Sequence, residues 1–205
     1  MSGADQQRTE TQAIKRERVL AASMTLFYER GYTATTLDDV AAALGVTKPF
    51  IYTYFRSKAE LLAALCTPTI ELSLQAVAEA AAGPGSPTER LHRAMVDFAQ
   101  VVLGRQANIA IFFREEKNLD PAALAEITGL RKRFDRVLSA LLAEGVAAGA
   151  FEIEDVSLAA LALGGMISWA YTWHRPGGRL ALEALCEQLA RLALRMAGVR
   201  VPAPA

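Results

Sequence analysis

The stretch "TTLDDVAAALGVTKPFIYTYFRSKAELL", residues 35–62, decides how the rest of the chain is read. Thr36 followed three residues later by Asp39 has the form of a capping box, and Leu37, Val40, Ala41 and Leu44 form one apolar stripe. A short helix therefore starts after Thr36 and stops at Gly45. Thr47 is placed to cap the next helix, with Pro49 in its first turn, where the missing N–H costs nothing. That second helix, about two turns long, is too short to stand alone. It must pack on its neighbours through one side while exposing the other.

The flanks complete the unit. Val19, Ala22, Leu26 and Phe27 recur at helical spacing in a first helix from about Ala13 to Arg30, and Gly31 stops it. Ser57 with Glu60 opens a fourth helix through Leu61, Leu62 and Leu65, which Pro68 kinks or divides. Two short helices joined by a tight glycine turn behind a longer one make a helix-turn-helix.

Its second short helix serves two surfaces. Ile51 and Phe55 are four apart and turn toward Leu37, Leu44 and the first helix; Lys48 and Tyr52, also four apart, share a different face. A recognition helix presents its N-terminal residues to base edges in the major groove. Lys48 suits a guanine edge or a phosphate, Thr47 and Tyr52 can donate to either, and Phe50 can meet a thymine methyl. Lys58, in the first turn of the next helix, adds its charge to the positive helix end and offers a phosphate site. Residues 14–58 carry seven basic against four acidic side chains, a local excess in a chain where 22 Lys and Arg balance 22 Asp and Glu.

Composition narrows the remaining classes. The 205 residues are 52% hydrophobic, rich in alanine and without strand-like alternation, so long helices are expected throughout. Beyond the "GPGSP" loop at 83–87, helices are read at about 88–104, 107–117, 121–148, 155–175 and 179–198, with "RPGG" joining the last two. Cys66 and Cys186 belong to no CxxC or Cys/His cluster and read as small core residues in a reducing cytoplasm; no metal or cofactor is expected. The polar N-terminus, residues 1–12, reads as a disordered tail without the apolar segment of a signal peptide. Val156–Trp173 has no charged residue and nears the length of a membrane span, but Ser157, Gly164, Gly165, Ser168 and Thr172 make it a bundle or dimer element, with no membrane partner. Two histidines, no nucleophile elbow and no phosphate loop argue against an enzyme. Glu115 and Glu116 are adjacent and diverge on a helix. A helical interaction module that binds no DNA is the other alternative.

Residues 13–62 resemble the N-terminal domain of TetR/AcrR-type bacterial transcriptional regulators. The similarity rests on Gly31, Tyr32, Thr35 and Thr36, then Gly45 and Val46, then Tyr52, Tyr54, Phe55, Ser57, Lys58 and Leu61. It implies an all-α chain: a disordered tail at 1–12, a three-helix helix-turn-helix DNA-binding domain at 13–58, a larger helical ligand-binding and dimerisation domain at 59–198, and a C-terminal tail at 199–205. The implied DNA contacts are Thr36, Thr47, Lys48, Pro49, Phe50, Tyr52, Tyr54 and Lys58. Phe50 departs from the family pattern, in which this position is often small or hydroxylated. The implied partners are a palindromic double-stranded DNA operator, a second copy bound through the last two helices, and a small effector.

For the dimer, Ala159, Ala162, Gly164 and Gly165 permit close approach and Leu182, Leu185, Leu189, Leu192 and Met196 repeat at helical spacing; an intrachain core is their other use. For the effector site, the candidates are Phe98, Phe112, Phe113, Arg131, Phe134, Trp169, Trp173 and Arg175, with Arg133 nearby. These aromatics either pack a core or, with the arginines, take a hydrophobic ligand with an anionic head. The segment "WAYTWHRPGGRL" is similar to members that answer acyl-CoA thioesters from lipid or sterol breakdown; a multidrug-responsive efflux repressor is the alternative.

Overall fold

Helix follows helix along this chain because apolar stripes recur at helical spacing, and Thr36, Ser57, Ser86, Asp120 and Asp155 each cap a helix start. The computed structural model describes residues 3–199, and among them there is no strand. The described residues form nine α-helices: α1 Gly3–Arg30, α2 Leu37–Leu44, α3 Lys48–Tyr52, α4 Lys58–Ala82, α5 Pro87–Gly104, α6 Gln106–Glu115, α7 Pro121–Ala147, α8 Val156–Ser168 and α9 Leu182–Met196. Short 3-10 turns, Glu116–Asn118 and Trp169–Thr172, follow α6 and α8.

Several boundaries differ from the sequence reading. Residues 3–12, expected as tail, continue α1: their Gln, Arg, Glu and Thr tolerate helix, and Thr11 Oγ1 donates to the Gln7 carbonyl at 2.8 Å. Pro68 does not divide α4, which runs through it. The segment expected as one helix over 155–175 is α8 plus a 3-10 turn. Most of the expected C-terminal tail, 200–205, lies outside the described residues.

The chain forms two compact units. One holds the chain up to Thr67 together with Ala110–Leu124; the other holds Pro68–Ile109 and the chain from Ala125 onward. The division therefore falls after Thr67 rather than at the expected boundary of 58/59, and the first unit also recruits the end of α6. Side-chain chemistry gives the reason, described below: Arg114 and Glu115 bond directly to the α1–α2 junction.

In the first unit, α1 packs on α2 and α2 on α3 around fully buried Val19, Phe27, Val40 and Ile51. Gly45 makes the tight turn between α2 and α3. Its φ of 66° lets its N–H reach the Ala42 carbonyl at 3.1 Å, while Val46 N–H reaches Ala41 at 3.0 Å. In the second unit, α5 is the central helix, facing α9 and also touching α8. Ala94, Ala99, Ala190 and Ala193 bring α5 and α9 close, and Met95, Phe98, Leu189 and Leu194 fill the space around them. The ends are tied by Arg90 to Glu144 and by His92 Nε2 to Glu187 at 3.1 Å; Glu187 also accepts from Arg191 at 3.0 Å.

Cys66 and Cys186 are buried, as expected of small core residues, and burial pushes their thiols up to about 12 and about 11. Neither is a reactive thiolate near neutral pH.

α7 ends by folding Phe151 back over Gly145, whose carbonyl accepts from both Ala150 N–H at 2.8 Å and Phe151 N–H at 3.2 Å. A Cβ at position 145 would land inside the Phe151 ring, whereas one at Gly129, earlier in the same helix, would meet nothing within 4 Å. Gly145→Ala should therefore destabilise the protein by about 1–3 kcal/mol, and Gly129→Ala should stabilise it by about 0.5–1 kcal/mol. Urea unfolding of both variants checks this; shifts of the same sign would refute the packing assigned to Phe151.

Candidate nucleic-acid interface

The first unit carries the surface that the sequence points to. Thr36 is the N-cap of α2, and its capping box is complete. Its hydroxyl accepts from Asp39 N–H at 3.1 Å and donates to Asp39 Oδ2 at 2.6 Å, and that carboxylate accepts the Thr36 N–H at 2.7 Å. These bonds hold the Asp39 carboxyl below its ordinary range. Thr47 stands at the N-cap of α3, with extended backbone, yet its hydroxyl makes no capping bond. It is exposed and remains available as a donor or acceptor.

α3 is fixed from behind. Ile51 and Phe55 are buried, and the Arg16 guanidinium lies over the Phe55 ring, 4.9 Å from its centroid. Its other side faces outward. Lys48 and Pro49 are exposed, Tyr52 is 49% exposed, and Phe50 stacks edge-on against Tyr54 with centroids 5.3 Å apart. Lys15, Arg18, Leu44, Val46 and Phe50 border a shallow surface depression. Thus Thr47, Lys48, Pro49, Phe50, Tyr52 and Tyr54 cluster on or beside α3, with basic α1 side chains at the edge. Lys48 Nζ bonds Asp38 Oδ2 at 2.7 Å, and that bond raises the lysine's pKa.

Lys58 differs from expectation. Its ammonium donates to the Tyr32 carbonyl at 2.8 Å and the Thr35 carbonyl at 2.9 Å, and sits 4.1 Å from the centroid of the Tyr32 ring. The turn between α1 and α2 takes two of its three donors, so Lys58 holds that turn. Burial pulls its pKa below the ordinary lysine range, with Glu115 opposing. The helix cap expected nearby is present: Ser57 Oγ accepts from Glu60 N–H at 3.0 Å.

The sequence reading missed the end of α6. The Arg114 guanidinium donates to the last carbonyls of α1, Phe27 at 3.3 Å and Tyr28 at 3.1 Å, and lies over the Tyr28 ring. Glu115 accepts from Tyr32 N–H at 3.4 Å and from Asn118 Nδ2 at 2.9 Å. A cation suits the negative end of a helix, and Glu115 supplies an acceptor for the Tyr32 N–H just beyond it. The long separation along the chain hides these partners from sequence patterning.

The effector candidates are distributed between the two units. Phe112 and Phe113 belong to the first, where they pack edge-on at 5.3 Å. In the second, Phe98 and Phe134 are buried against each other at 4.7 Å. Trp169 and Trp173 do not line an interior: they are 58% and 50% exposed, because α8 ends at Ser168 and the 3-10 turn swings them outward. Arg131 and Arg133 are exposed, and Arg175 donates to the Thr172 and His174 carbonyls of its own segment. An unforeseen candidate is Thr69 on α4, whose hydroxyl is buried without a hydrogen-bond partner. Such a group costs stability unless something satisfies it.

Residues 19–65 match the family model described as bacterial regulatory proteins of the tetR family, and residues 84–197 match a Tetracyclin repressor-like C-terminal domain. The chain is 26% identical over 189 residues to an HTH-type transcriptional repressor, KstR2, of Mycolicibacterium smegmatis, covering 91% of each. Among solved structures it resembles the TetR-family regulator PfmR of Thermus thermophilus, with 32% identity and a TM-score of 0.81, over 87% of this chain and 97% of that one. It also resembles AibR, solved in complex with isovaleryl coenzyme A and operator DNA, at 26% identity and a TM-score of 0.75, over 89% of this chain and 97% of that one.

Lys58→Met should lower stability by about 1–3 kcal/mol, because two carbonyls of the turn lose a charged donor. Urea unfolding measures the loss, and an unchanged midpoint would show that the turn does not depend on the lysine. The Asp39 carboxyl adds an acid limb. A carboxylate whose folded pKa is depressed contributes fully above its unfolded value, about 3.9, and the contribution disappears as pH falls through the folded value. Asp39→Asn should therefore flatten the loss of stability below about pH 4. Unfolding midpoints from about pH 5.5 down to about 2.5 would test this; an unchanged limb would assign the acid sensitivity to other carboxylates.

Proposed function

This chain belongs to the TetR family of bacterial transcriptional regulators, and on that premise we propose that it is a repressor that binds a palindromic operator as a dimer and releases it on binding a small hydrophobic effector. Family members act as regulators of transcription and not as enzymes. The observation that carries the proposal is the outward face of α3: Lys48, Tyr52 and the uncapped Thr47 hydroxyl stand exposed at the start of a helix whose back is locked by Ile51 and Phe55. A helix so held can enter a major groove without first being ordered there. Thr47, Lys48, Pro49, Phe50, Tyr52 and Tyr54 meet the DNA. Thr36 caps α2, and Lys58 supports the surface by holding the turn.

The second unit supports the dimer. Leu158 and Leu161 on α8, Trp169 and Trp173 after it, and Leu192 and Met196 on α9 are large apolar side chains left 46–64% exposed. A second copy placed against these helices would cover them and would set two recognition helices about one turn of DNA apart. The effector is an acyl-CoA thioester. The buried Phe98–Phe134 pair offers apolar surface within the second unit, and the similar protein AibR was solved with a ligand of that class. Residence in the cytoplasm follows from this role.

Selection of duplexes from a randomised pool, followed by fluorescence anisotropy, tests the reading. The wild type should select a two-fold symmetric sequence and lose it when an acyl-CoA thioester is added; a coupling of about 1–3 kcal/mol gives a roughly five- to 150-fold loss of affinity. Leu161→Glu should give a monomer by sedimentation and bind the same duplex far more weakly. Failure to select any sequence would refute the regulator reading. Release by cationic drugs and not by thioesters would keep the repressor and replace the effector with the multidrug class.

A further inference from the structure

Asp38 lies in the first turn of α2, where a carboxylate suits the helix dipole, but it closes no cap there. The capping box at the start of that helix is closed by Asp39, whose carboxylate takes both the Thr36 N–H and the Thr36 hydroxyl. Asp38, one residue earlier, turns its carboxylate across to the first residue of α3 and accepts from Lys48 Nζ at 2.7 Å. Both side chains are open to solvent, 65% and 44% exposed. An exposed ion pair of this kind contributes little to stability. An acid on a surface meant to meet polyanionic DNA is also an electrostatic handicap, unless it meets something other than phosphate.

We propose that Asp38 and Lys48 together read one G·C base pair in the major groove, with Asp38 as a specificity-determining residue that accepts from the cytosine amino group. The proposal rests on the DNA-binding reading above. On its major-groove edge a G·C pair places guanine acceptors, O6 and N7, beside the cytosine N4 donor. The Lys48–Asp38 pair presents the complement, a donor nitrogen beside an acceptor oxygen. The 2.7 Å between them is close to the length of the hydrogen bond that joins O6 to N4 within the base pair. Lysine has three donors, so Nζ can keep Asp38 and still bond guanine; the carboxylate has lone pairs left for N4.

An A·T pair reverses the fit at one point. It puts the thymine O4 acceptor against the carboxylate or the adenine N6 donor against the ammonium. A phosphate that took one of the remaining Lys48 donors would lie beside the Asp38 carboxylate, an anion. The pair therefore favours one base pair and disfavours binding to backbone alone.

The test uses the full-length dimer and the duplex it selects. Anisotropy titrations with every single base-pair variant of that duplex are run for the wild type, Asp38→Ala, Asp38→Asn and Lys48→Met. For the wild type, one G·C position per half-site should lose roughly 5- to 100-fold on change to A·T. Asp38→Ala and Lys48→Met should flatten that same position and leave the others. Asp38→Asn retains an acceptor and should keep part of the preference.

Three outcomes overturn the proposal. Asp38→Ala could change affinity equally for every duplex, which assigns Asp38 to charge alone. Asp38→Ala and Lys48→Met could relax different positions, which separates the pair. The sensitive position could be A·T in the wild type. Circular dichroism of each variant ensures that flattening is not unfolding. If the wild type selects no duplex, the DNA-binding reading fails first and this proposal falls with it.

Discussion

A single ammonium group at the start of α4 organises the DNA-facing unit. Lys58 reaches into the turn between α1 and α2, where its ammonium donates to the Thr35 carbonyl and joins the Thr35 N–H on the Tyr32 carbonyl, and rests on the Tyr32 ring. Thr35 is itself buried, with its hydroxyl bonded to the Gly31 carbonyl at 2.9 Å. A turn with this many buried polar groups stays closed only if each finds a partner. Lys58 supplies them from one helix, and Arg114 and Glu115 supply the rest from the end of another. The start of α2, and through Gly45 the placement of α3, depends on that closure.

The recognition helix has five residues. A helix of that length has no stability of its own, so its orientation is a property of the surroundings. Ile51 and Phe55 anchor it to the core, Pro49 fixes the backbone of its first turn, and Arg16 covers the Phe55 ring from α1. Binding then draws little on ordering entropy, and the exposed side chains are free to discriminate. Holding Lys48 beside Asp38 adds a directional element to what would otherwise be a mobile positive charge.

In the other unit the same logic produces different surfaces. Alanines at the α5–α9 contact let two helices approach closely and bury their larger neighbours. On α8 and α9, Leu161, Leu192 and Met196 are large apolar side chains left exposed beside the buried faces, and the far side of α9 carries Gln188, Arg191 and Arg195. Exposed apolar groups of this size are what the proposed contact with a second copy would cover.

The sequence by itself determined where the helices around the turn begin and end. Thr36, Asp39, Gly45 and Ser57 act on backbone groups close by in the chain, so local spacing is enough to read them. The stripe of Ile51 and Phe55 likewise showed which side of α3 is buried, because helical periodicity is a local property. Tertiary structure decided what the charged side chains do. Lys58 looked like a free cation beside a helix end, and only the folded turn shows its carbonyl partners, far back along the chain. Glu115 read only as one of two adjacent carboxylates that diverge on a helix, yet it accepts from Tyr32 N–H, and Arg114 beside it donates to carbonyls of α1. Trp169 and Trp173 looked like pocket lining, and the end of α8 turned them outward. Backbone capping is a short-range demand written in neighbouring residues, whereas the partner of a long charged side chain is set by whichever unpaired group folding brings within its reach.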